Sequence, residues 1–319
     1  MQAMKPLSMF HPRRALQTAH NEAFITWRLL KSNGPAIIIC HAVNLIARSL
    51  GNSISAAEIS SVAPGVALCC FFYMYCFDIA NQATSVTEDT KNKPDRPIPY
   101  GLLSVRGAYV RWALSWIIGP VLLQIFVGSW AGVHFVGLEL WIFFCYVWPK
   151  PNHWFFRNAF TAVSNLQTSR LVDACVYHKV PKMNIGIGAD IVVLVWVIST
   201  IHVQEFHDME GDRESGRKTL PLILGSAGCS RLRIATASFL CCGGLWVLAS
   251  SFGPGDFRLT STLFATAVLH GISAMILAYR TTRLTSRQDD EQTYRIYYYI
   301  ALSHLILFSA QKEYQQGKQ

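Results

Sequence analysis

Apolar residues arrive along this chain in segments of about twenty, the length that an α-helix needs to cross the hydrocarbon core of a membrane. Hydropathy and length indicate nine such segments, centred on residues 35–46, 62–80, 109–126, 133–148, 156–176, 185–203, 234–250, 263–279 and 296–308. Hydrophobic residues make up 51% of the 319 residues and charged residues only 15%, which argues against two soluble domains. We therefore predict an all-α polytopic membrane protein with about nine transmembrane helices.

Basic residues are distributed unevenly among the loops between these segments. The loops after the second, sixth and eighth segments each contain several lysine or arginine residues, whereas those after the first, third and seventh contain one or none. By the positive-inside rule, this alternation predicts that the N-terminus and the loops after the second and sixth segments are cytoplasmic. It also accounts for the formal net charge of +9 without a nucleic-acid partner.

The ends of the chain are polar. The first twenty residues contain Lys5, Arg13 and Arg14 but no continuous apolar core, so we expect no cleavable signal peptide. This expectation and the cytoplasmic loops favour the endoplasmic reticulum membrane. We divide the chain into an N-terminal cytoplasmic segment (residues 1–22), a transmembrane catalytic domain (23–310) and a polar tail (311–319).

A polar and acidic stretch begins inside the second apolar segment. It runs from Asp78 to Pro99 and reads DIANQATSVTEDTKNKPDRPIP. On a continuous helix, one face would carry Asp78, Asn81, Ser85, Glu88 and Asp89. Ionisable groups at membrane depth usually face a polar cavity and mark a functional site, so we place the chemistry on this face.

A second acidic stretch, QEFHDMEGDRESGRKTLP, covers residues 204–221 after the sixth segment. Asp208 and Asp212 are four positions apart and therefore share a helical face, with Arg217 and Lys218 beyond them. Two facing acidic clusters repel each other unless divalent cations bridge them. Hard oxygen ligands suit Mg²⁺, and neighbouring guanidinium and ammonium groups suit a diphosphate. The two stretches together predict a Mg²⁺–diphosphate site above an apolar bundle, fitting an isoprenoid diphosphate substrate.

These motifs resemble those of the UbiA superfamily of intramembrane prenyltransferases. That family's first motif runs N-D-x-x-D-x-x-x-D followed by N-x-P-D-R-P-I-P, and its second runs D-x-x-x-D followed by G-R-x-T-L-P. The matching residues here are Asn81, Asp89, Asn92 and Pro94–Pro99 in the first motif, and Asp208, Asp212, Gly216, Arg217 and Thr219–Pro221 in the second. The resemblance covers most of the chain and implies a UbiA-like bundle whose cavity opens to the cytoplasmic side.

The first motif departs from the family pattern, because Gln82 and Ser85 stand where the family has aspartates. Which acidic residues of this altered motif bind metal therefore stays open. The metal ligands that the resemblance implies are Asn81, Glu88, Asp89, Asp208 and Asp212, with Asp78 as a further candidate. The implied catalytic residues are Asn81, Asp89, Asp208 and Asp212. The substrate-binding candidates are Asn92, Asp95, Arg96, Lys150, Arg157, Arg217 and Lys218.

The altered motif resembles a fungal branch of the superfamily that includes membrane-bound terpene cyclases. This implies a class I cyclase that ionises a prenyl diphosphate, farnesyl diphosphate, with Mg²⁺. Its product would be a sesquiterpene such as bergamotene, made in terpenoid secondary metabolism with release of diphosphate. The alternative is a UbiA-type prenyltransferase with an aromatic acceptor, which shares the ionisation step. A carrier or channel would leave the acidic motifs unexplained, and the oligomeric state stays open.

Aromatic faces can stabilise a carbocation inside a cavity that excludes water. Two groups of aromatic residues are candidates for such faces. They are Phe71, Phe72, Tyr73 and Tyr75 in the second segment, and Tyr294, Tyr297, Tyr298 and Tyr299 near the ninth.

Overall fold

A computed structural model of the chain describes residues 12–52, 54–181, 186–252 and 257–317, which form helices and the connections between them. The α-helices are α1 Pro12–Leu30, α2 Gly34–Asn52, α3 Ala56–Thr84, α4 Val86–Asn92, α5 Val105–Phe126, α6 Ser129–Ile142, α7 Trp154–Lys179, α8 Gly188–Thr200, α9 Met209–Glu214, α10 Leu220–Ser250, α11 Phe257–Arg283, α12 Arg287–Gln292 and α13 Tyr299–Gln316. Phe143–Val147 and Thr293–Tyr298 form π-helical turns, and Ile201–Glu205 forms a 3₁₀ turn. The predicted all-α class is confirmed.

The number of membrane spans is lower than predicted when length and composition are judged helix by helix. Within the described ranges, six helices are long and apolar enough to cross a membrane, and α1 with α2, bent by 78°, would make a seventh. The predicted segments around residues 156–176 and 296–308 fall on α7 and α13, which are not among the six. Several long apolar helices identify an integral membrane protein, but nine spans are not confirmed.

The packing buries the polar side chains of α7 and leaves apolar surfaces on the outside of the bundle. Helix α7 contacts α2, α3, α6 and α8 and buries several polar side chains along its length. Helices α5 and α10 leave large apolar side chains such as Ile117, Ile125 and Leu245 about two-thirds exposed (65–66%). A soluble protein rarely exposes this much contiguous apolar surface, whereas lipid tails are a suitable environment for it.

Helix α3 carries the first acidic motif to one end of the bundle. Its N-terminus is closed by a capping box, in which Ser55 Oγ accepts from the Glu58 N–H at 3.3 Å and Glu58 Oε2 accepts from the Ser55 N–H at 2.8 Å. The helix ends at Thr84, and Ser85, with φ −126° and ψ 28°, separates it from α4. The expected continuous helical face is therefore wrong, because the backbone of Ser85 is not helical.

A buried ionic network ties α2, α7 and α8 together at the other end of the bundle. Arg48 Nε donates to Asp173 Oδ1 at 2.6 Å, and Arg48 Nη2 donates to Ser169 Oγ at 2.6 Å. Arg170 pairs with Asp190 on α8. The two arginines balance the two aspartates, so the network carries no net charge in a region where unpaired charge is costly.

Replacing Asp173 by Ala should destabilise the protein strongly. The substitution leaves two guanidinium groups around the one remaining carboxylate, and breaking a buried ion pair typically costs about 3–5 kcal/mol. We expect a clearly lower melting temperature for the detergent-purified protein. Glu210→Ala is the control, since its partner Arg287 lies at 3.9 Å and both side chains are at least 75% exposed. Equal melting temperatures for the two variants would contradict the assignment.

Candidate functional site

The two acidic stretches meet at one end of the bundle and line a shared cavity of about 530 Å³. The first stretch contributes Glu88 on α4, and the second contributes Arg217 just after α9. Lys150 and Asn152, in the connection that leads into α7, lie between them, and Arg157 lies on the first turns of α7. The cavity volume is within the range of about 300–1,000 Å³ that is usual for small-molecule sites.

Arg217 joins the two acidic stretches across the cavity mouth. One side of its guanidinium pairs with the Glu88 carboxylate, and Nη1 donates to Asp212 Oδ1 at 3.2 Å. Asp212 is 2% exposed, and its Oδ2 is buried without a hydrogen-bond partner among the described residues. The guanidinium therefore offsets the repulsion that the two facing carboxylates would otherwise have.

Glu205 holds a second arginine beside the same carboxylate. Its Oε1 accepts from Arg157 Nε at 3.2 Å, and its Oε2 accepts from the Leu220 N–H at 3.1 Å. Leu220 is the first residue of α10, so Glu205 fixes the end of the second stretch as well as Arg157. Arg157 Nη2 lies 3.9 Å from Asp212 Oδ1.

Lys150 adds positive charge to the mouth. Its Nζ donates to the carbonyl oxygen of Thr84, the last residue of α3, at 2.7 Å. Burial lowers the pKa of Lys150, and the neighbouring Arg217 guanidinium lowers it further. The Glu88 carboxylate acts in the opposite direction, and a bound anion would likewise favour the ammonium form of Lys150.

Several predicted site residues lie away from this cavity. Both oxygens of the Asp89 carboxylate accept from Arg96 Nη1 at 2.7 Å, and each of these two side chains is 2% exposed. Asp78 Oδ1 accepts from Asn33 Nδ2 at 2.5 Å, and the Asp78 side chain is fully buried. Gln82, at an altered motif position, donates to the Leu29 carbonyl oxygen at 3.0 Å. The Asp78 and Gln82 contacts hold α1 and the turn after it against α3, and the Asp89–Arg96 pair holds the loop after α4 against α4.

The remaining predicted residues are placed as follows. Asp95 pairs with Lys31 at the end of α1, and this ammonium holds the pKa of the Asp95 carboxyl below its usual range. Asp208 has a 57% exposed side chain beside His207. Asn81 is half-buried on α3. The backbone N–H of Lys218 donates to the Asn152 side chain. The side chain of Asn92 lies outside the described part of the structure.

Aromatic side chains form the inner wall of the cavity. Tyr146, Phe156 and Phe160 line it, and the Tyr146 and Phe160 rings lie 4.6 Å apart. Phe77 stacks behind Phe160 at 5.1 Å. The aromatic residues expected from the sequence are elsewhere: Phe71 is 40% exposed, and the tyrosines of Tyr294–Tyr299 pack partly against Trp196 and His207.

The sequence did not identify Asn152, the ion pair between Glu205 and Arg157, or the three aromatic residues of the inner wall as parts of the site. None of them falls in a spacing that singles it out. Glu205 has the clearest signal, since it is an acidic residue at the end of an apolar segment. The aromatic residues are only a few of the many in apolar segments, so their sequence positions carry little information.

The residues present fit a divalent cation that is shared with a ligand. Among the described residues, no group of three or more His, Cys, Asp and Glu side chains lies close enough to hold a metal ion alone. Mg²⁺ often binds through one or two carboxylates and completes its coordination with water and substrate phosphate oxygens. Glu88 at the cavity wall and Asp212 with its unpartnered oxygen supply such carboxylates.

Comparison with protein families and individual proteins gives consistent results. The family model described as "UbiA prenyltransferase family" matches residues 45–303. Diterpene cyclase eriG from Hericium erinaceus is 34% identical over 235 residues, which cover 72% of this chain and 69% of the relative. Polyprenyl transferase eriF from the same fungus is 32% identical over 244 residues, covering 74% and 77% of the two chains.

The fold is also shared with solved structures. A UbiA homolog from Archaeoglobus fulgidus bound to GPP and Mg²⁺ matches with a TM-score of 0.58 at 14% sequence identity. The match covers 89% of this chain and 99% of the other. At this identity the likeness concerns the arrangement of the helices, and it supports the predicted UbiA-like bundle.

Arg217→Ala should make the stability of the protein sensitive to Mg²⁺. Without the guanidinium, Glu88 and Asp212 repel each other, and a divalent cation can take over the neutralisation. We expect Mg²⁺ to raise the melting temperature of Arg217→Ala by about 3 °C more than that of the wild type, equivalent to roughly 1 kcal/mol. Arg213→Ala, an exposed arginine on α9, is the control. Equal Mg²⁺ shifts in all three proteins would contradict the bridging role.

Proposed function

This chain belongs to the UbiA prenyltransferase family, and from that premise we propose that it is a membrane-bound class I terpene cyclase. Its substrate is a prenyl diphosphate, which it ionises with Mg²⁺ and cyclises without an acceptor. The observation that carries this proposal is the cavity of about 530 Å³, which joins a charged mouth to an aromatic inner wall. An amphiphile with a diphosphate head and an isoprenoid tail matches both parts.

The basic residues of the mouth bind and orient the diphosphate. Lys150 and Arg157 approach the cavity from the start of α7 and the connection before it, and Arg217 approaches from the turn after α9, so together they can contact several phosphate oxygens. Stabilising the negative charge that develops on the leaving group is the main electrostatic contribution to ionisation. Glu205 keeps Arg157 directed at this position through the 3.2 Å hydrogen bond to its Nε.

Glu88 and Asp212 would hold Mg²⁺, with Asp208 as an exposed third ligand. Bound Mg²⁺ would neutralise the diphosphate and assist its departure. Asn81 and Asp89 stay candidate ligands from the family motif. In the described structure Asp89 is engaged by Arg96, so it would contribute only after that pair opens.

The inner wall protects and shapes the carbocation. Tyr146, Phe156 and Phe160 exclude water from the tail and present aromatic faces to developing positive charge. In a cyclase, another double bond of the same prenyl substrate attacks the cation, and the resulting cation then loses a proton. The similarity to a diterpene cyclase favours this outcome over transfer to a second substrate.

The alternative is a prenyltransferase, and the similarity to a polyprenyl transferase at 32% identity favours it specifically. Both reactions begin with the same ionisation, so the mouth residues have the same roles in each. They differ in whether the cavity must also admit an acceptor.

Farnesyl diphosphate is the substrate that the sequence motifs favour, with a sesquiterpene such as bergamotene as product. The diterpene cyclase relative makes geranylgeranyl diphosphate the second substrate to test.

We place the catalytic domain at residues 23–310, in the endoplasmic reticulum membrane, with both acidic motifs on the cytoplasmic side.

The proposal predicts product formation by membranes that contain the protein, without an added acceptor. Each of the two diphosphates is supplied with Mg²⁺, and a hydrocarbon is extracted into an organic overlay. A cyclic terpene that is absent with EDTA supports the cyclase. Turnover that begins only when an aromatic acceptor is added would contradict the cyclase and support the prenyltransferase. No diphosphate release under either condition would exclude both activities.

Asp212→Asn should reduce diphosphate release by roughly 10²–10³-fold, comparable to the loss of one preorganised electrostatic contact in other active sites. The substitution keeps the size of the side chain but removes the charge that faces Arg217 and the metal position. Glu210→Gln is the matched control, since Glu210 lies on the same helix with a 78% exposed side chain. Near-normal release by Asp212→Asn would remove Asp212 from the site.

A further inference from the structure

Asn152 connects the two sides of the cavity mouth through the backbone. Its Nδ2 donates to the Gly216 carbonyl oxygen at 3.0 Å, and its Oδ1 accepts from the Lys218 N–H at 3.0 Å. The donor and the acceptor of one amide are thus both used on the two residues that flank Arg217. The amide group suits this task, because it offers a donor and an acceptor on one planar group.

The segment that Asn152 holds is a tight turn after α9. Gly216 has φ +67°, a left-handed conformation that other residues rarely adopt. The Arg217 N–H donates to the Asp212 carbonyl oxygen at 2.9 Å, which folds the turn back onto α9. With the backbone fixed on both sides, the Arg217 guanidinium can move only by rotation of its own side chain.

Arg217 has a long side chain that loses considerable rotamer freedom when it is ordered. Because the backbone on both sides is already fixed, Arg217 loses less conformational freedom when its guanidinium contacts a ligand. The guanidinium contacts Glu88 and Asp212, and the cavity lies directly beside it. A small rotation of the side chain would therefore take it from the carboxylates to an anion in the mouth.

We infer that Asn152 is a positioning residue, which acts on the substrate diphosphate through Arg217. This inference rests on the proposed function, since it assigns the anion in the mouth to the prenyl diphosphate. Asn152 itself also borders the cavity, so direct contact between its amide and the diphosphate is the competing explanation. The two explanations differ in how the effects of Asn152 and Arg217 combine.

The test is a double-mutant cycle with Asn152→Ala, Arg217→Ala and the double variant in the full-length protein. Loss of a supporting contact outside the first contact layer typically costs roughly tenfold to hundredfold, and we expect this loss in kcat/KM for Asn152→Ala, mainly through KM. If Asn152 acts through Arg217, adding Asn152→Ala to Arg217→Ala causes no further loss. Effects that multiply in the double variant would overturn the inference.

A second readout does not depend on turnover. The dissociation constant of inorganic diphosphate with Mg²⁺ is measured by calorimetry on the same detergent-purified proteins. We expect Asn152→Ala to weaken this binding in the wild-type background and not in the Arg217→Ala background. If prenyl diphosphates are not turned over but this coupling is present, the proposed function fails and the positioning role stands. Turnover without coupling overturns the inference alone, and a wild type that shows neither turnover nor diphosphate binding overturns both.

Two further variants complete the design. Asn52→Ala is the matched control, because among the described residues Asn52 Nδ2 donates only to the Arg48 carbonyl oxygen of its own helix, at 3.1 Å and at the other end of the bundle. Asn152→Asp keeps the Oδ1 acceptor for Lys218 and serves if Asn152→Ala does not fold. It should also show no further loss in the Arg217→Ala background, and an additional loss there would overturn the inference.

Discussion

Carboxylates at a membrane-embedded cavity must have their charge compensated, and the mouth of this cavity depends on how that is done. Glu88 and Arg217 are 129 positions apart, and their ion pair joins α4 to the turn after α9. The same guanidinium reaches Asp212, so one arginine offsets part of the charge on both walls. The surrounding contacts hold this arrangement: Lys150 is bonded to the end of α3, and Glu205 is bonded to Arg157 and to α10.

The backbone becomes irregular at the places where this chemistry occurs. Helix α3 ends at Thr84 before α4 begins, and α8 passes through the 3₁₀ turn Ile201–Glu205 before α9. At membrane depth, non-helical backbone is tolerated where it is buried in protein or lines a polar cavity, because its amide groups need partners. Side chains supply some of these partners here, since Lys150 bonds the Thr84 carbonyl oxygen and Glu205 bonds the Leu220 N–H.

Sequence patterns predicted the helical class, the membrane location and the meeting of the two acidic stretches, because hydropathy and motif spacing are local properties. They did not predict which side chains face the cavity. We expected Glu88 and Asp89 to share one face, but adjacent residues of a helix point in different directions, so on α4 Glu88 borders the cavity and Asp89 pairs with Arg96. Asn152 and Phe160 could not be identified from spacing, since their roles arise from contacts between distant segments.

The altered first motif changes how much acid the mouth contains. Gln82, where the family has an aspartate, is used to hold the Leu29 carbonyl oxygen, and Asp89 is held by Arg96, so Glu88 is the acidic side chain that α4 presents to the cavity. With Asp212 opposite, four acidic side chains (Glu88, Glu205, Asp212 and Glu214) face four basic ones (Lys91, Lys150, Arg157 and Arg217), so the charges around the mouth are already balanced. A divalent cation alone is then poorly favoured, whereas a cation together with a diphosphate balances the site. The charge distribution therefore couples the binding of the metal to the binding of the anion.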